Sequence, residues 1–116
     1  MNRPASPRRG DVWSISLDPT RGREQAGVRP ALILSSDTLN SPPGELVIVV
    51  PFTTRDRGLP THVEVMPPEG GLTKTSYALC EAVRSVSKSR LLSKWGRVSD
   101  QSLATIEKKV RFLIGP

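Results

Sequence analysis

Short stretches of alternating or continuous hydrophobic residues divide the first half of the chain into predicted β-strands. Trp13, Ile15 and Leu17 alternate with two serines, which is the two-residue period of a half-buried strand. The runs at 31–34 and 46–50 are continuously aliphatic. They are rich in β-branched residues and too short for independent helices, which is typical of central strands.

Turn-forming segments separate these strands from the strands predicted in the second half. Pro51 cannot donate a hydrogen bond to a neighbouring strand, so the third strand is expected to bulge or end there. The next alternating strand places His62, the only histidine, on its solvent side. Residues 77–86 and 94–98 are predicted as the remaining strands, with a short helical turn at 91–92 between them.

Hydrophobic residues at three- and four-residue spacing near the end of the chain predict one amphipathic helix. Ser99 and Asp100 are expected to begin this helix, and Gly115 and Pro116 to end it. Five or six short strands followed by such a helix predict a mainly β (α+β) fold, a small and strongly bent antiparallel β-barrel with the helix packed on it. The residues with helical spacing are Leu103, Ile106, Val110, Leu113 and Ile114.

Size and composition fit one domain at residues 10–116, preceded by a flexible basic arm at 1–9. The longest aliphatic run, 46–50, is far shorter than the roughly 20 residues of a membrane-spanning helix, so we expect a cytoplasmic protein with no membrane association. Cys80 lies in an apolar stretch and is expected to be a buried, unreactive thiol. The 17 Lys and Arg against 11 Asp and Glu give a net charge of +6, which favours polyanionic partners.

Several kinds of site have no counterpart in the sequence. Gly22 and Gly27 have the spacing of a phosphate-binding P-loop, but Val28 and Arg29 follow where that motif needs Lys and then Ser or Thr. The chain also has no paired Cys/His spacing for zinc, no carboxylate cluster for a two-metal nuclease and no Gly-x-Ser-x-Gly elbow. We therefore expect chemistry that uses no metal and no cofactor.

Three segments of the chain resemble the MazF/PemK toxin family, and they are RGDVW at 9–13, LDPT at 17–20 and GREQAGVRP at 22–30. The resemblance continues through VPFTT at 50–54, GLP at 58–60 and the closing helix, and covers about residues 8–115. The Glu-Gln-x-Gly-x-Arg-Pro signature is the specific part of this match, whereas the later strands are generic.

The resemblance implies a homodimeric SH3-like barrel of the CcdB/PemK type, the toxin of a toxin-antitoxin pair. Such a toxin cuts single-stranded RNA at short sequences without a metal and is silenced by its antitoxin, which we expect to be acidic. Arg29 and Thr53 occupy the positions of the family's catalytic pair, and cleavage there uses the 2′-hydroxyl of the RNA. A planar guanidinium can donate two hydrogen bonds to the phosphoryl oxygens that gain charge during this attack.

Residues near this pair are expected to support it or to bind RNA. Glu24 either orients Arg29, accepts the 2′-hydroxyl proton or forms a salt bridge at the base of its loop. Gln25 either hydrogen-bonds a base edge or fixes its own loop, and Thr54 is expected to support the neighbouring threonine. The RNA-binding candidates are Arg23, Arg55, Asp56 and Arg57.

Two other functions fit a small basic barrel. A protein-directed poison of the gyrase-inhibitor type would bind an acidic helix, but the signature at 24–30 favours the nuclease. A non-catalytic RNA-binding barrel would stack bases on several aromatic side chains, whereas this chain has two Trp, one Tyr and two Phe. The endoribonuclease is therefore the favoured interpretation.

Overall fold

The computed structural model describes residues 6–17 and 27–115 of the chain. It confirms the mainly β class with a C-terminal helix, and within the described residues it has seven strands rather than five or six. The strands are β1 (Asp11–Ser16), β2 (Val28–Ile33), β3 (Leu46–Thr53), β4 (His62–Val65), β5 (Ser76–Leu79), β6 (Arg84–Ser87) and β7 (Leu91–Arg97). The α-helices are α1 (Asp37–Asn40), which the sequence did not predict, and α2 (Asp100–Ile114).

The strands form one antiparallel sheet in the order β4-β5-β3-β2-β1-β7, and β6 also pairs with β3. β3 is the centre of this sheet because its early residues pair with β6, its middle with β2 and its last two residues with β5. Pro51 lies opposite Ala31 in the last pair of the β2–β3 ladder, and β3 continues to Thr53 by pairing with β5. The prediction that the strand ends at Pro51 is therefore wrong, although its pairing with β2 stops there. Val50 and Phe52 are both buried. They hold the backbone extended on either side of Pro51, which has no N–H to donate.

Alternate residues of the central strands enter two hydrophobic clusters on opposite faces of the sheet. One cluster includes Ile106 and Val110 of α2, so it lies between the sheet and the helix. The other cluster contains Trp13, Ile15 and Leu17 and lies on the face away from α2. These three residues share a face, as the sequence predicts.

The prediction that β1 is only half buried is wrong. β1 lies between β2 and β7, and its Ser14 is 5% exposed. The Ser14 hydroxyl is 2.9 Å from that of Ser93 on β7, so the buried oxygen has a hydrogen-bond partner. Both faces of β1 are therefore covered, one by each hydrophobic cluster.

Two predicted strand boundaries also differ from the structure. The strand predicted at 77–86 is interrupted by a 3₁₀ turn at Cys80–Ala82, because β5 and β6 pair with opposite ends of β3 and the chain must step between them. The helical turn predicted at 91–92 is the beginning of β7, and a 3₁₀ turn at Lys88–Arg90 precedes it.

The helix boundaries predicted from the sequence are confirmed. The Ser99 hydroxyl accepts a hydrogen bond from the Ser102 amide, and Gly115 ends α2 with a φ of +119°. Ile106 and Val110 are buried, but Ile114 is exposed, so the apolar face of the helix contacts the sheet mainly through its middle. Neither helix in the described ranges has the length and apolar character that a membrane crossing requires.

The N-terminal segment from Ser6 onward is attached to the sheet and to α2. The Arg8 amide donates to Asp11 at 2.8 Å, and the Arg9 guanidinium donates to the Leu34 carbonyl and to Glu107 of α2. Residues 1–5 lie outside the described residues, and the division into an arm at 1–9 and a domain at 10–116 stays a prediction.

Candidate active site

The two residues predicted to be catalytic lie on neighbouring central strands, Arg29 in β2 and Thr53 at the end of β3. Ala31 is opposite Pro51 in the last pair of the β2–β3 ladder, and Thr53, two residues further along β3, pairs with Tyr77 of β5. Both residues alternate in phase with Ala31, whose side chain belongs to the cluster away from α2. Strand alternation thus places both predicted residues on the face opposite the helix.

Arg29 has hydrogen-bonding capacity that the fold leaves unused. Its side chain is half-buried, and its Nε is buried with no hydrogen-bond partner among the described residues. An unpaired buried N–H costs about 1–3 kcal/mol. That N–H can therefore be satisfied by an acceptor that enters the site, such as a phosphate oxygen.

Thr53 is half-buried, and its hydroxyl already takes part in a local turn. The Arg55 amide donates to Thr53 Oγ1 at 3.2 Å, which fixes the side chain at the end of β3. Because the hydroxyl accepts in this bond, its own hydrogen can still be donated to a ligand.

The other candidates from the loop after β3 are exposed. Thr54, Arg55, Asp56 and Arg57 all present their side chains to solvent immediately beyond Thr53. Asp56 Oδ1 accepts a hydrogen bond from the Gly58 amide at 2.9 Å, which forms a turn that shapes the loop. The loop therefore places two guanidinium groups and a carboxylate next to the predicted catalytic pair.

Two further polar residues lie in register with Thr53 across the sheet. Thr53 lies opposite Tyr77 of β5, and Tyr77 lies opposite Glu64 of β4. Residues paired in antiparallel strands project to the same face, so Thr53, Tyr77 and Glu64 lie in register. Together with Arg29, which alternation places on the same face, they are called the polar row. Sequence analysis missed Tyr77 and Glu64 as site residues, because alternation gives the face of each strand but not its register against β3.

The Tyr77 hydroxyl lies among carboxylates. It donates to Glu64 Oε2 at 3.4 Å. Desolvation raises the pKa of Tyr77, and the negative charges of Asp56 and Glu64 raise it further. The hydroxyl therefore stays protonated at neutral pH and remains a donor.

The prediction that His62 is a solvated strand residue is wrong. Its side chain is 4% exposed, and Nε2 is 2.9 Å from Glu81 Oε2. The 3₁₀ turn at Cys80–Ala82 places Glu81 over the histidine, which the sequence does not reveal. Partial burial raises the pKa of Glu81, but the hydrogen bond from His62 lowers it, and the net pKa is lowered.

The Cys80 thiol is buried, as predicted. Burial, and to a lesser extent the charge of Glu81, raises its pKa to about 11. The thiol is therefore protonated at neutral pH, which agrees with the predicted unreactive cysteine. Across residues 6–17 and 27–115, no group of three or more His, Cys, Asp or Glu is arranged to hold a metal ion.

Arg23, Glu24 and Gln25 lie outside the described residues, so their supporting and RNA-binding roles stay predictions. The residues on either side of that segment are described. The Leu17 amide donates to the Gly27 carbonyl at 2.9 Å. Leu17 and Gly27, the residues that flank 18–26, are therefore adjacent, and Gly27 is two residues from Arg29.

The fold belongs to a known class of small toxins. Residues 8–114 match the family described as the PemK-like, MazF-like toxin of type II toxin-antitoxin systems, and the chain belongs to this family. Among curated relatives, the endoribonuclease MazF of Staphylococcus saprophyticus is 34% identical over 109 residues, which cover 93% of this chain and 91% of the relative. The prediction of a MazF/PemK-type endoribonuclease toxin is thus confirmed at the level of the family.

Solved structures of related toxins have the same fold. MazF of Deinococcus radiodurans has a TM-score of 0.84 and 29% identity, with 97% of this chain and 99% of that chain covered. A mycobacterial endoribonuclease in complex with its cognate antitoxin has a TM-score of 0.74 and 26% identity, with 96% of each chain covered. The bent antiparallel sheet and the terminal helix are therefore the family architecture.

Proposed function

We propose that this chain is a metal-independent, sequence-specific endoribonuclease toxin that cleaves single-stranded RNA by attack of a 2′-hydroxyl on the adjacent phosphate. The observation that supports this proposal is strand alternation, by which Arg29 of β2 and Thr53 of β3 share the face of the sheet opposite α2. Membership of the PemK-like, MazF-like family supports the reaction class.

Arg29 is the residue that stabilises charge in the proposed reaction. The phosphoryl oxygens gain negative charge as the 2′-oxygen attacks, and the guanidinium can donate to two of them. A guanidinium keeps its proton up to a pKa above about 12, so Arg29 acts by electrostatic stabilisation rather than as a general acid. Its buried Nε, which has no hydrogen-bond partner among residues 6–17 and 27–115, donates to the bound phosphate.

Thr53 positions the same phosphate. Its hydroxyl is held by the Arg55 amide and donates its hydrogen to a nonbridging phosphate oxygen. The exposed guanidiniums of Arg55 and Arg57 then contact the RNA backbone on either side. Glu24 is the candidate for orienting Arg29 or for accepting the 2′-hydroxyl proton.

The proposed partners follow from charge and from the relatives. A net charge of +6 favours an acidic antitoxin, and the mycobacterial relative is bound to a cognate antitoxin. We propose that an acidic antitoxin covers the polar row, that the toxin is a homodimer, and that both act in the cytoplasm.

The test is incubation of the purified protein with a defined single-stranded RNA in excess EDTA. We expect cleavage that leaves a 2′,3′-cyclic phosphate or its hydrolysed form, identified by mass spectrometry. An Arg29→Ala variant purified in parallel controls for contaminating ribonucleases. Cleavage that requires a divalent metal, or products ending in a 3′-hydroxyl, would contradict the mechanism, and intact RNA would favour a binding protein or a gyrase-type poison.

A further inference from the structure

The polar row continues past the proposed catalytic pair with the only tyrosine of the chain. Tyr77 lies directly opposite Thr53, one strand spacing of about 5 Å from the proposed phosphate contact. Its neighbours Ala78 and Cys80 enter the core beneath α2, so Tyr77 projects to the other face, where it is partly exposed. An aromatic ring in this place can be reached by the base next to a phosphate held at Thr53.

The groups around the Tyr77 hydroxyl are hydrogen-bond acceptors. Glu64 accepts from this hydroxyl at 3.4 Å, and Asp56 interacts with the same group from the loop after β3. A carboxylate has two oxygens with several lone pairs, so both retain the capacity to accept from a further donor. Two carboxylates beside an aromatic ring disfavour phosphates, but they suit a base edge that carries N–H groups.

We propose that Tyr77 is the stacking platform for the base next to the cleaved phosphate, and that Glu64 and Asp56 select this base by accepting hydrogen bonds from its N–H groups. This inference rests on the proposed function. Single-stranded RNA is commonly read in this way, by stacking on aromatic side chains and by hydrogen bonds to the Watson–Crick edge.

The acceptor-rich surroundings favour one kind of base. Guanine presents an imino N–H and an amino group side by side, and a carboxylate can accept from both. Cytosine and adenine each offer an amino group, whereas uracil offers a single ring N–H flanked by two carbonyl oxygens that repel carboxylates. The expected order at this position is guanine first and uracil last.

The test is a timed digest of a random single-stranded RNA pool with sequencing of the 5′ ends, together with kcat/KM on the preferred sequence. Tyr77→Leu should lower kcat/KM roughly 10-fold or more, on the scale of one base stacked on an aromatic side chain. It should weaken binding of an uncleavable 2′-O-methyl RNA to a similar extent. Tyr77→Phe keeps the ring and should retain most of this affinity.

The variants of the carboxylates test base selection separately from rate. Glu64→Gln replaces an acceptor by an amide that donates as well as accepts, so uracil should become accepted at the selected position. Asp56→Asn should act in the same direction. Two matched controls change exposed residues outside the polar row. Glu45→Gln removes a carboxylate, and Phe112→Leu removes an aromatic ring on α2. Both should leave the cleaved sequence unchanged.

The outcomes separate this inference from the proposed function. Suppose that the wild-type protein cleaves RNA. The inference is then wrong, and the proposed nuclease function is retained, if Tyr77→Leu leaves kcat/KM and binding unchanged. The same holds if Glu64→Gln and Asp56→Asn leave the base preference unchanged. A wild-type preference for uracil at this position would also overturn it. If the wild-type protein leaves the RNA pool intact, the proposed function fails. Thermal unfolding of each variant identifies any loss caused by misfolding, and Tyr77→Phe and the exposed Glu64→Gln remain informative in that case.

Discussion

Replacing Arg29 and Thr53 singly and together measures whether they act on the same phosphate. Arg29→Ala removes the guanidinium, and Thr53→Val removes the hydroxyl while keeping the branched shape of the side chain. In the proposed mechanism both groups contact one phosphate. Their effects on cleavage should therefore be coupled rather than independent.

The expected magnitudes follow from the contacts. Loss of a transition-state donor such as Arg29 should lower kcat about 100- to 1,000-fold. Thr53 donates one hydrogen bond to a charged group, worth about 1.5–3 kcal/mol, so Thr53→Val should lower kcat roughly 10- to 150-fold. Independent effects would multiply, but a phosphate no longer held by Arg29 is out of reach of Thr53. The double variant should therefore resemble Arg29→Ala alone.

The assay is single-turnover cleavage of a fluorescent RNA with protein in excess, in EDTA. Lys108→Ala, which removes one exposed positive charge from α2, controls for the loss of net charge and should cleave at the wild-type rate. A double variant whose loss equals the product of the single losses would refute the idea of a shared phosphate. A loss of less than 10-fold for Arg29→Ala would remove this residue from the mechanism.

Three further predictions concern the fold. Ile106→Ala empties a fully buried position and should lower the free energy of unfolding, measured by urea denaturation, by about 2–5 kcal/mol. The Phe112 side chain is 77% exposed, so Phe112→Ala should change this free energy by less than about 0.5 kcal/mol. Partial burial raises the pKa of Glu69, but hydrogen bonds from Ser99 and Ser102 lower it below its ordinary value of 4.5. The ionised carboxylate therefore stabilises the protein above pH 4.5, and this stability is lost as the pH falls through the lowered pKa. The difference in urea midpoint between the wild type and Glu69→Gln should shrink between neutral pH and about pH 3, and a constant difference would contradict the role of this hydrogen bond. Burial raises the pKa of Cys80 to about 11. Iodoacetamide at pH 8 should therefore label the folded protein far more slowly than the urea-unfolded protein. Equal labelling rates would show that the thiol is accessible.

The sequence alone identifies much of the fold and supplies the candidates for the centre of the site. Alternation places Trp13, Ile15 and Leu17 on one face, and the cap residues Ser99 and Gly115 define the final helix, because both signals depend on local backbone geometry. The family resemblance singles out Arg29 and Thr53. None of these inferences requires knowledge of which strands are neighbours.

The remaining features depend on contacts between distant residues. The break between β5 and β6 follows from their pairing with different ends of β3, and the burial of His62 follows from its contact with Glu81. The place of Tyr77 beside Thr53 is likewise a matter of register, which a single sequence specifies only through the packed fold. Local patterns therefore predict which residues share a strand face but not which residues meet across the sheet.

The central position of β3 has a consequence for how the protein fluctuates. A strand paired with β2, β5 and β6 can release its backbone amides only when several neighbours separate at once, so its hydrogen exchange should be among the slowest in the chain. Thr53 is the last residue of this strand, and the exposed segment 54–58 begins immediately after it. The loop that carries Arg55, Asp56 and Arg57 is therefore anchored to one of the most slowly exchanging parts of the sheet.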